Sequence, residues 1–213
     1  MPENHFLLAE QFEDRQQQYE AANLGMWTFL ATEVLFFGGL FLAYAVYRHF
    51  YSAEFIAAIK HTNIVYGTIN STLLLTSGLT MALAVQAATE NRERVIVPLL
   101  LVTLLLGLGF LVVKGVEYSQ DISEHLVPGA HFNPALPTHA QLFFWLYWCM
   151  TCLHAIHMLV GIGVLVVITW MARGGKFSAL HHTPLEIGGL YWAFVDIVWI
   201  FLYPLLYLIG RHA

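Results

Sequence analysis

Two carboxylic acids lie deep inside long apolar runs of the sequence, where their chemistry would be proton exchange or hydrogen bonding. Asp196 lies near the middle of the apolar run 185–209, and Glu33 lies near the middle of the run 24–47. An ionisable group at that depth is costly, so it faces a partner or a cavity rather than lipid and marks a functional site by default. Desolvation favours the uncharged acid. For Glu33 two interpretations stay open: an inert carboxyl bonded to a neighbouring helix, or a proton-exchanging group.

Two histidines lie deep in another apolar run, in the stretch TCLHAIHMLVG. His154 and His157 are neighbours on one helix face, so they cannot bind one haem iron from opposite sides of the ring. A metal held by both histidines with Glu33 or Asp196 is an alternative. We favour a polar cluster of these four residues, joined by hydrogen bonds across a helix bundle. This interpretation places no metal site and no catalytic residue in the chain.

A third group is the pair Lys114 and Glu117 in the stretch KGVEYSQ. The spacing makes the two side chains neighbours on one helix face. A lysine near a helix end buries its alkyl stem and extends its ammonium group to the membrane surface. We therefore predict an ion pair that anchors the end of a helix near the outer face, in preference to a functional site.

The composition indicates which class of protein carries these residues. Of the 213 residues, 58% are hydrophobic and 11% are charged, whereas soluble domains carry about 25% charged residues. The sequence therefore predicts an all-α, polytopic membrane protein. A net charge of −5 gives no indication of nucleic-acid binding. Cys149 and Cys152 lie in an apolar run without further ligands, so we interpret them as small apolar side chains rather than a redox or zinc motif.

Apolar runs long enough to cross a bilayer, which needs about 20 residues, predict a bundle of five transmembrane helices. They cover residues 24–47, 64–88, 95–118, 141–171 and 185–209. Residues 1–22 are polar and are predicted to form an N-terminal surface segment. The transmembrane domain is therefore predicted over residues 23–213.

Some residues within these spans predict how the helices meet. Gly78 and Ala82 are small residues four positions apart, which lets helices approach closely. Asn70 and Ser77 can form hydrogen bonds to a neighbouring helix. Pro204 is expected to kink the outer end of the fifth span.

The distribution of Lys and Arg predicts the orientation, because cytoplasmic loops carry an excess of both. With a cytoplasmic N-terminus, the inner side carries Arg15, Arg92, Arg94, Arg173 and Lys176, and the outer side carries Arg48, Lys60 and Arg211. The longest loop, 119–139, has neither Lys nor Arg, which fits an outer loop. We therefore expect the N-terminus in the cytoplasm and the C-terminus in the periplasm.

Five stretches carry a resemblance to a known family. They are LGMWTFLATEVLFFGGLF, INSTLLLTSGLTMALAV, KGVEYSQ, LFFWLYWCMTCLHAIHMLVG and HHTPLEIGGLYWAFVDIVWIFLYPLLY. Their order and content resemble subunit III of haem–copper terminal oxidases, specifically the short bacterial form with five helices. Glu33 lies at the position of the family's carbodiimide-reactive glutamate. The chain departs from the family at Cys152 and Ala155, where Gly is usual, and at Ala193, where His is usual.

The resemblance implies a non-catalytic subunit of cytochrome c oxidase, the proton-pumping complex that reduces oxygen to water. Such a subunit packs on subunit I, which holds haem and copper, while subunit II holds further copper. It supports proton uptake and stability, binds phospholipid and lies in the bacterial inner membrane. Further respiratory subunits are additional candidate partners. Longer members have two more N-terminal helices, which here are either missing or supplied by another subunit.

Other functions remain open for a sequence of this kind. A component associated with nitric oxide reductase and a subunit of a quinol oxidase share most of these motifs. A small transporter acting alone and a membrane haem protein are alternatives of a different class.

Overall fold

The computed structural model describes residues 11–174 and 183–211, and within these ranges the chain is helical with no strand. The helices are α1 Arg15–Phe50, α2 Ser52–Ile59, α3 Ile64–Thr89, α4 Glu93–Ser123, α5 Ala140–Arg173 and α6 Thr183–Tyr203. A π-helical segment, Pro204–Leu208, continues α6. All of these except α2 are long and apolar enough to cross a membrane, α6 together with its π-helical continuation. The predicted all-α fold with five membrane-spanning helices is confirmed, and the orientation stays a prediction.

Local sequence signals fix where two of the spans begin. The Asp14 carboxylate accepts a hydrogen bond from the Gln17 backbone N–H at 2.7 Å, which caps α1. The Asn63 side chain accepts one from the Val65 N–H at 3.0 Å, which caps α3. Such side chains satisfy backbone donors that the first turn of a helix leaves free. Because α1 begins at Arg15, the polar residues 15–22 continue directly into the first span.

The short helix α2 was not predicted from the sequence. It lies in the connection between the first two spans, where Phe55, Ala58 and Ile59 are fully buried. It contacts α5 and the π-helical segment. Eight residues are too few for a span, but they cover one end of the bundle with an apolar face.

The five spans divide into a hairpin and a group assembled around the last helix. Helices α3 and α4 form the most extensive contact of the bundle, and α6 packs against α3, α5 and α1. α1 contacts the late helices α5 and α6, and much of its apolar surface is exposed. Trp192 of α6 fits beside Gly107 of α4, where an added Cβ would come within 2.7 Å of the indole ring.

The predicted polar contacts of α3 are only partly present. The Trp192 indole N–H donates to the Ser77 hydroxyl at 3.1 Å, which joins α6 to α3. Asn70 is fully buried, and neither its side-chain nitrogen nor its oxygen has a hydrogen-bond partner among the described residues. Ser77 therefore links two helices as predicted, whereas Asn70 does not.

Pro204 changes the helix type at the end of α6. Proline lacks the N–H of a regular helix and its ring clashes with the preceding turn, and here the backbone widens into the π-helical segment. The hydroxyl of Tyr44 donates to the Leu205 carbonyl at 2.5 Å, and the hydroxyl of Thr62 donates to the Leu206 carbonyl at 3.2 Å. Side chains thus satisfy backbone carbonyls where the regular ladder is broken.

Candidate functional site

Glu33 of α1 and His157 of α5 form a direct pair inside the membrane-spanning region. Glu33 Oε2 lies 3.2 Å from His157 Nε2, and His157 Nδ1 lies 2.8 Å from the Leu153 carbonyl oxygen. The side chains are 20% and 16% exposed, respectively. The rings of Phe37 and Phe194 flank the imidazole. The pair is therefore enclosed by apolar groups but open at one edge of the bundle.

The geometry of this pair restricts its protonation. Because a carbonyl oxygen only accepts, Nδ1 of His157 must carry a proton. One further proton then lies between Nε2 and the Glu33 carboxyl. On the histidine it gives an imidazolium–carboxylate pair; on the acid it gives a neutral imidazole bonded to a carboxylic acid. The net charge of the pair is zero in both states.

His154 lies one turn away from His157 but does not join this pair. Its side chain is buried, and neither ring nitrogen has a hydrogen-bond partner among the described residues. Its ring centroid lies 5.4 Å from that of Phe110 and 5.1 Å from that of Trp199. His154 therefore packs as an aromatic ring in the interior.

Asp196 is also separate from the Glu33–His157 pair. It is 7% exposed, and its Oδ1 has no hydrogen-bond partner among the described residues. Its Oδ2 lies so close to Gly78 of α3 that a Cβ at that position would collide with it. The structure thus brings Glu33 and His157 together, but not the hydrogen-bonded cluster of four residues that the sequence predicts.

Lys114 and Glu117 form the predicted pair, with Nζ 2.9 Å from Oε2. However, each residue is only 1% exposed, so the ammonium group does not reach the membrane surface as expected for a snorkelling side chain. Lys114 also donates to the hydroxyls of Tyr147 and Tyr207 at 3.1 and 2.7 Å. All three N–H donors of the ammonium group therefore have acceptors.

Three residues that the sequence analysis missed complete this buried network. Tyr207 donates to Glu117 Oε1 at 2.7 Å, and the Tyr147 hydroxyl lies 2.8 Å from Asp121 Oδ2. Asp121 follows Glu117 by four residues, a spacing that places both on one face of α4. That spacing was a usable signal. The tyrosines come from α5 and the π-helical segment, and their positions depend on how the helices meet.

Aromatic rings enclose the cation of this network. Lys114 Nζ lies 4.9, 4.8 and 5.5 Å from the ring centroids of Tyr118, Tyr147 and Tyr207. A desolvated cation near aromatic faces is stabilised by the ring quadrupoles. Glu117 and these rings together replace the water that Lys114 loses on burial.

The described residues contain no group of three or more His, Cys, Asp or Glu side chains that could hold a metal ion. In particular, the alternative of a metal shared by the two histidines with Glu33 or Asp196 does not match their placement. His154 faces Phe110 and Trp199, and Asp196 packs against α3.

The fold and these residues define a multi-pass helical membrane protein with buried ionisable pairs. A sequence model of the family described as cytochrome c oxidase subunit III matches residues 13–211. This chain belongs to the cytochrome c oxidase subunit III family.

Curated relatives agree with this assignment. The chain is similar to cytochrome c oxidase subunit 3 of Thermostichus vulcanus, with 28% identity over 88% of this chain and 87% of the relative. It is similar to the subunit 3 of Drosophila melanogaster, with 31% identity over 86% of this chain and 67% of the relative. It is also similar to the subunit 3 of Aedes aegypti, with 32% identity over 67% of this chain and 50% of the relative.

Proposed function

We propose that this chain is a non-catalytic subunit III of a proton-pumping haem–copper terminal oxidase in a bacterial inner membrane. It packs on subunit I, supports proton uptake and stability of the complex, and binds lipid. The observation that carries the proposal is the family match, which runs from residue 13 to residue 211 and so includes all five candidate spans.

The redox chemistry belongs to the partner subunits under this proposal. Haem and copper are held by subunit I, and further copper by subunit II. The deep histidines of this chain support such a division, because His157 bonds to Glu33 and a backbone carbonyl, and His154 lies between aromatic rings. Among the described residues, neither imidazole belongs to a group of side chains that could bind one buried metal ion together.

The Glu33–His157 pair is the best candidate for a proton-exchanging site. When a proton moves between the two side chains, the net charge of the pair stays at zero. The transfer therefore leaves no uncompensated charge in an apolar region, where such a charge is costly. The partly exposed edge of the pair makes it accessible to a group outside the bundle. We propose that it exchanges protons with a group of subunit I.

Purification of the tagged chain from its native membranes in mild detergent tests the proposed function. The expected result is co-purification of oxidase subunits I and II, with copper and an a-type haem spectrum. A b- or c-type spectrum with nitric oxide reduction would instead assign the chain to a nitric oxide reductase. Oxidation of a quinol would assign it to a quinol oxidase.

Two outcomes would overturn the proposal itself. One is a Soret band that stays with the chain after it is isolated from all other subunits. The other is proton flux through the purified chain in liposomes, since a non-catalytic subunit should conduct no protons alone.

A further inference from the structure

A polar cavity opens at the end of the bundle where α4 ends and α3 begins. It has a volume of about 360 Å³, which is room for several water molecules at about 30 Å³ each. The connection between α2 and α3, the last turn of α4 and Arg211 form its walls. One wall residue, Asp121, also belongs to the Lys114 network, which consists of Lys114, Glu117, Asp121, Tyr147 and Tyr207.

Asp121 is the point where the Lys114 network meets this cavity. Of the five network residues, only Asp121 lines the cavity. It is 6% exposed, whereas Lys114 and Glu117 are each 1% exposed. Its Oδ2 accepts a hydrogen bond from the Tyr147 hydroxyl at 2.8 Å, and the same hydroxyl lies 3.1 Å from Glu117 Oε1. Because a phenol has one proton to donate, the two carboxyl groups compete for it.

The charges of the Lys114 network do not balance when both of its acids are ionised. Lys114 supplies one positive charge, so two carboxylates leave one negative charge in excess. An uncompensated charge in an apolar interior is costly, and a buried acid takes up a proton instead. Glu117 accepts hydrogen bonds from Lys114, Tyr147 and Tyr207, which favour its ionised form. Among the described residues Asp121 accepts one from Tyr147 alone, so Asp121 is the acid that takes the proton.

The groups on the cavity side of Asp121 act on it less strongly. They are Lys60, His61, Glu124 and Arg211. The two cations favour an ionised Asp121 and Glu124 opposes it, but the ion pairs of the described residues do not include Asp121. Lys60, His61 and Glu124 are exposed, so water and salt screen their fields.

The hydrogen bonds of the network stop at Lys114 on the inner side. The Trp199 ring centroid lies 5.7 Å from Lys114 Nζ and 5.1 Å from the His154 ring centroid. Neither nitrogen of His154 has a hydrogen-bond partner among the described residues. The described side chains therefore give a proton at Asp121 no hydrogen-bonded path to the Glu33–His157 pair, and the network stores a proton rather than conducting it.

We infer that Asp121 is a proton-binding site that takes its proton from water in the polar cavity. When the proton binds, the Asp121 carboxyl becomes neutral and the Tyr147 hydrogen turns to Glu117, because an ionised acceptor makes the stronger hydrogen bond. On release the proton returns to water in the cavity, and the Tyr147 hydrogen turns back to Asp121. The site is separate from the Glu33–His157 pair and needs no partner subunit, so it goes beyond the proposed function.

Infrared spectroscopy of the purified chain in lipid nanodiscs, recorded as the pH is lowered, tests this inference. The sequence has three aspartates, Asp14, Asp121 and Asp196, so aspartate labelled with a heavy carbon isotope gives few candidate bands. We expect a carboxylic acid C=O band that grows as the pH falls, shifts with labelled aspartate and shifts at once on transfer to D₂O. Asp121→Asn should abolish this band.

Glu124→Gln is the matched control, because it removes an exposed acid of the same cavity and should leave the band in place. A band that persists in Asp121→Asn, that shifts only with labelled glutamate, or that exchanges slowly in D₂O would refute the inference. If Asp121→Asn does not fold, Asp14→Asn and Asp196→Asn assign the band by elimination. Both should retain it, and its loss in either variant would overturn the assignment.

Tyr147→Phe tests the link between Asp121 and the rest of the network. It removes the charge-assisted hydrogen bond to the ionised acid, so proton binding should become about ten- to hundredfold tighter, seen as a band that appears at higher pH. Tyr118→Phe is its control, because that ring lies 4.9 Å from Lys114 Nζ but its hydroxyl has no hydrogen-bond partner among the described residues. An unchanged titration in Tyr147→Phe, or equal shifts in both variants, would refute the link.

Discussion

Replacing Glu117 with Ala tests whether the buried network around Lys114 stabilises the fold. Glu117 accepts hydrogen bonds from Lys114 and from the hydroxyls of Tyr147 and Tyr207, at 2.9, 3.1 and 2.7 Å. Its removal leaves the ammonium group of Lys114, a residue that is only 1% exposed, without the carboxylate that pairs with it. Removing one partner of a buried ion pair costs about 3–5 kcal/mol, and we expect Glu117→Ala to lower the free energy of unfolding by that amount.

The assay is equilibrium unfolding of the purified chain in mixed micelles with increasing SDS, followed by tryptophan fluorescence. Trp199 is a local probe, because its ring centroid lies 5.7 Å from Lys114 Nζ. The control is Glu90→Ala, which breaks the exposed pair of Glu90 with Arg92 and should cost less than about 1 kcal/mol.

A double-mutant cycle separates the ion pair from the hydroxyl bonds. In a Lys114→Met background, Glu117→Ala should cost only about 1–2 kcal/mol, because the hydrogen bonds to Tyr147 and Tyr207 are then the main loss. The reasoning fails if the cost is the same in both backgrounds, or if Glu117→Ala in the wild-type background behaves like the exposed control.

Three further outcomes are expected. A hydrophobic carbodiimide should label Glu33 in membranes, since the protonated acid is the reactive form; mass spectrometry that finds label only on loop carboxylates would contradict this. Glu33→Ala should leave the initial rate of oxygen reduction by the assembled complex largely intact, whereas total loss of activity with normal assembly would place the residue in the catalytic machinery. Gly107→Val should lower the unfolding free energy by about 1–3 kcal/mol, because a Cβ there meets the Trp192 ring at 2.7 Å. Gly115→Val serves as its control, and equal effects at both sites would argue against that contact.

Composition and hydropathy were sufficient to predict the five spans. The third predicted span, 95–118, falls within α4, and the actual helix continues to Ser123. Polar residues such as Asp121 lower the hydropathy of that end although the helix continues through them. The helix α2 was missed because eight residues are too few for a span, although the helical spacing of Phe55, Ala58 and Ile59 already indicates a buried face.

The candidate site was predicted only in part because side-chain contacts between helices depend on rotation and depth. Sequence spacing places Lys114 beside Glu117, and this pair is present. Spacing along one helix says nothing about Tyr207, which the π-helical segment brings into the same network. For the same reason, four ionisable residues at similar depth were predicted to form one cluster, whereas only Glu33 and His157 meet.

The contacts of α1 have a consequence for how the chain is made. A ribosome delivers the first span to the bilayer well before α5 and α6, the late helices against which it packs. Helices α3 and α4, by contrast, are synthesised in succession and can associate as a hairpin at once. During biogenesis the first span must therefore wait in lipid or beside an insertion factor. A nascent chain that terminates before residue 140 would leave it without a docking site, and such products should be removed by membrane proteases.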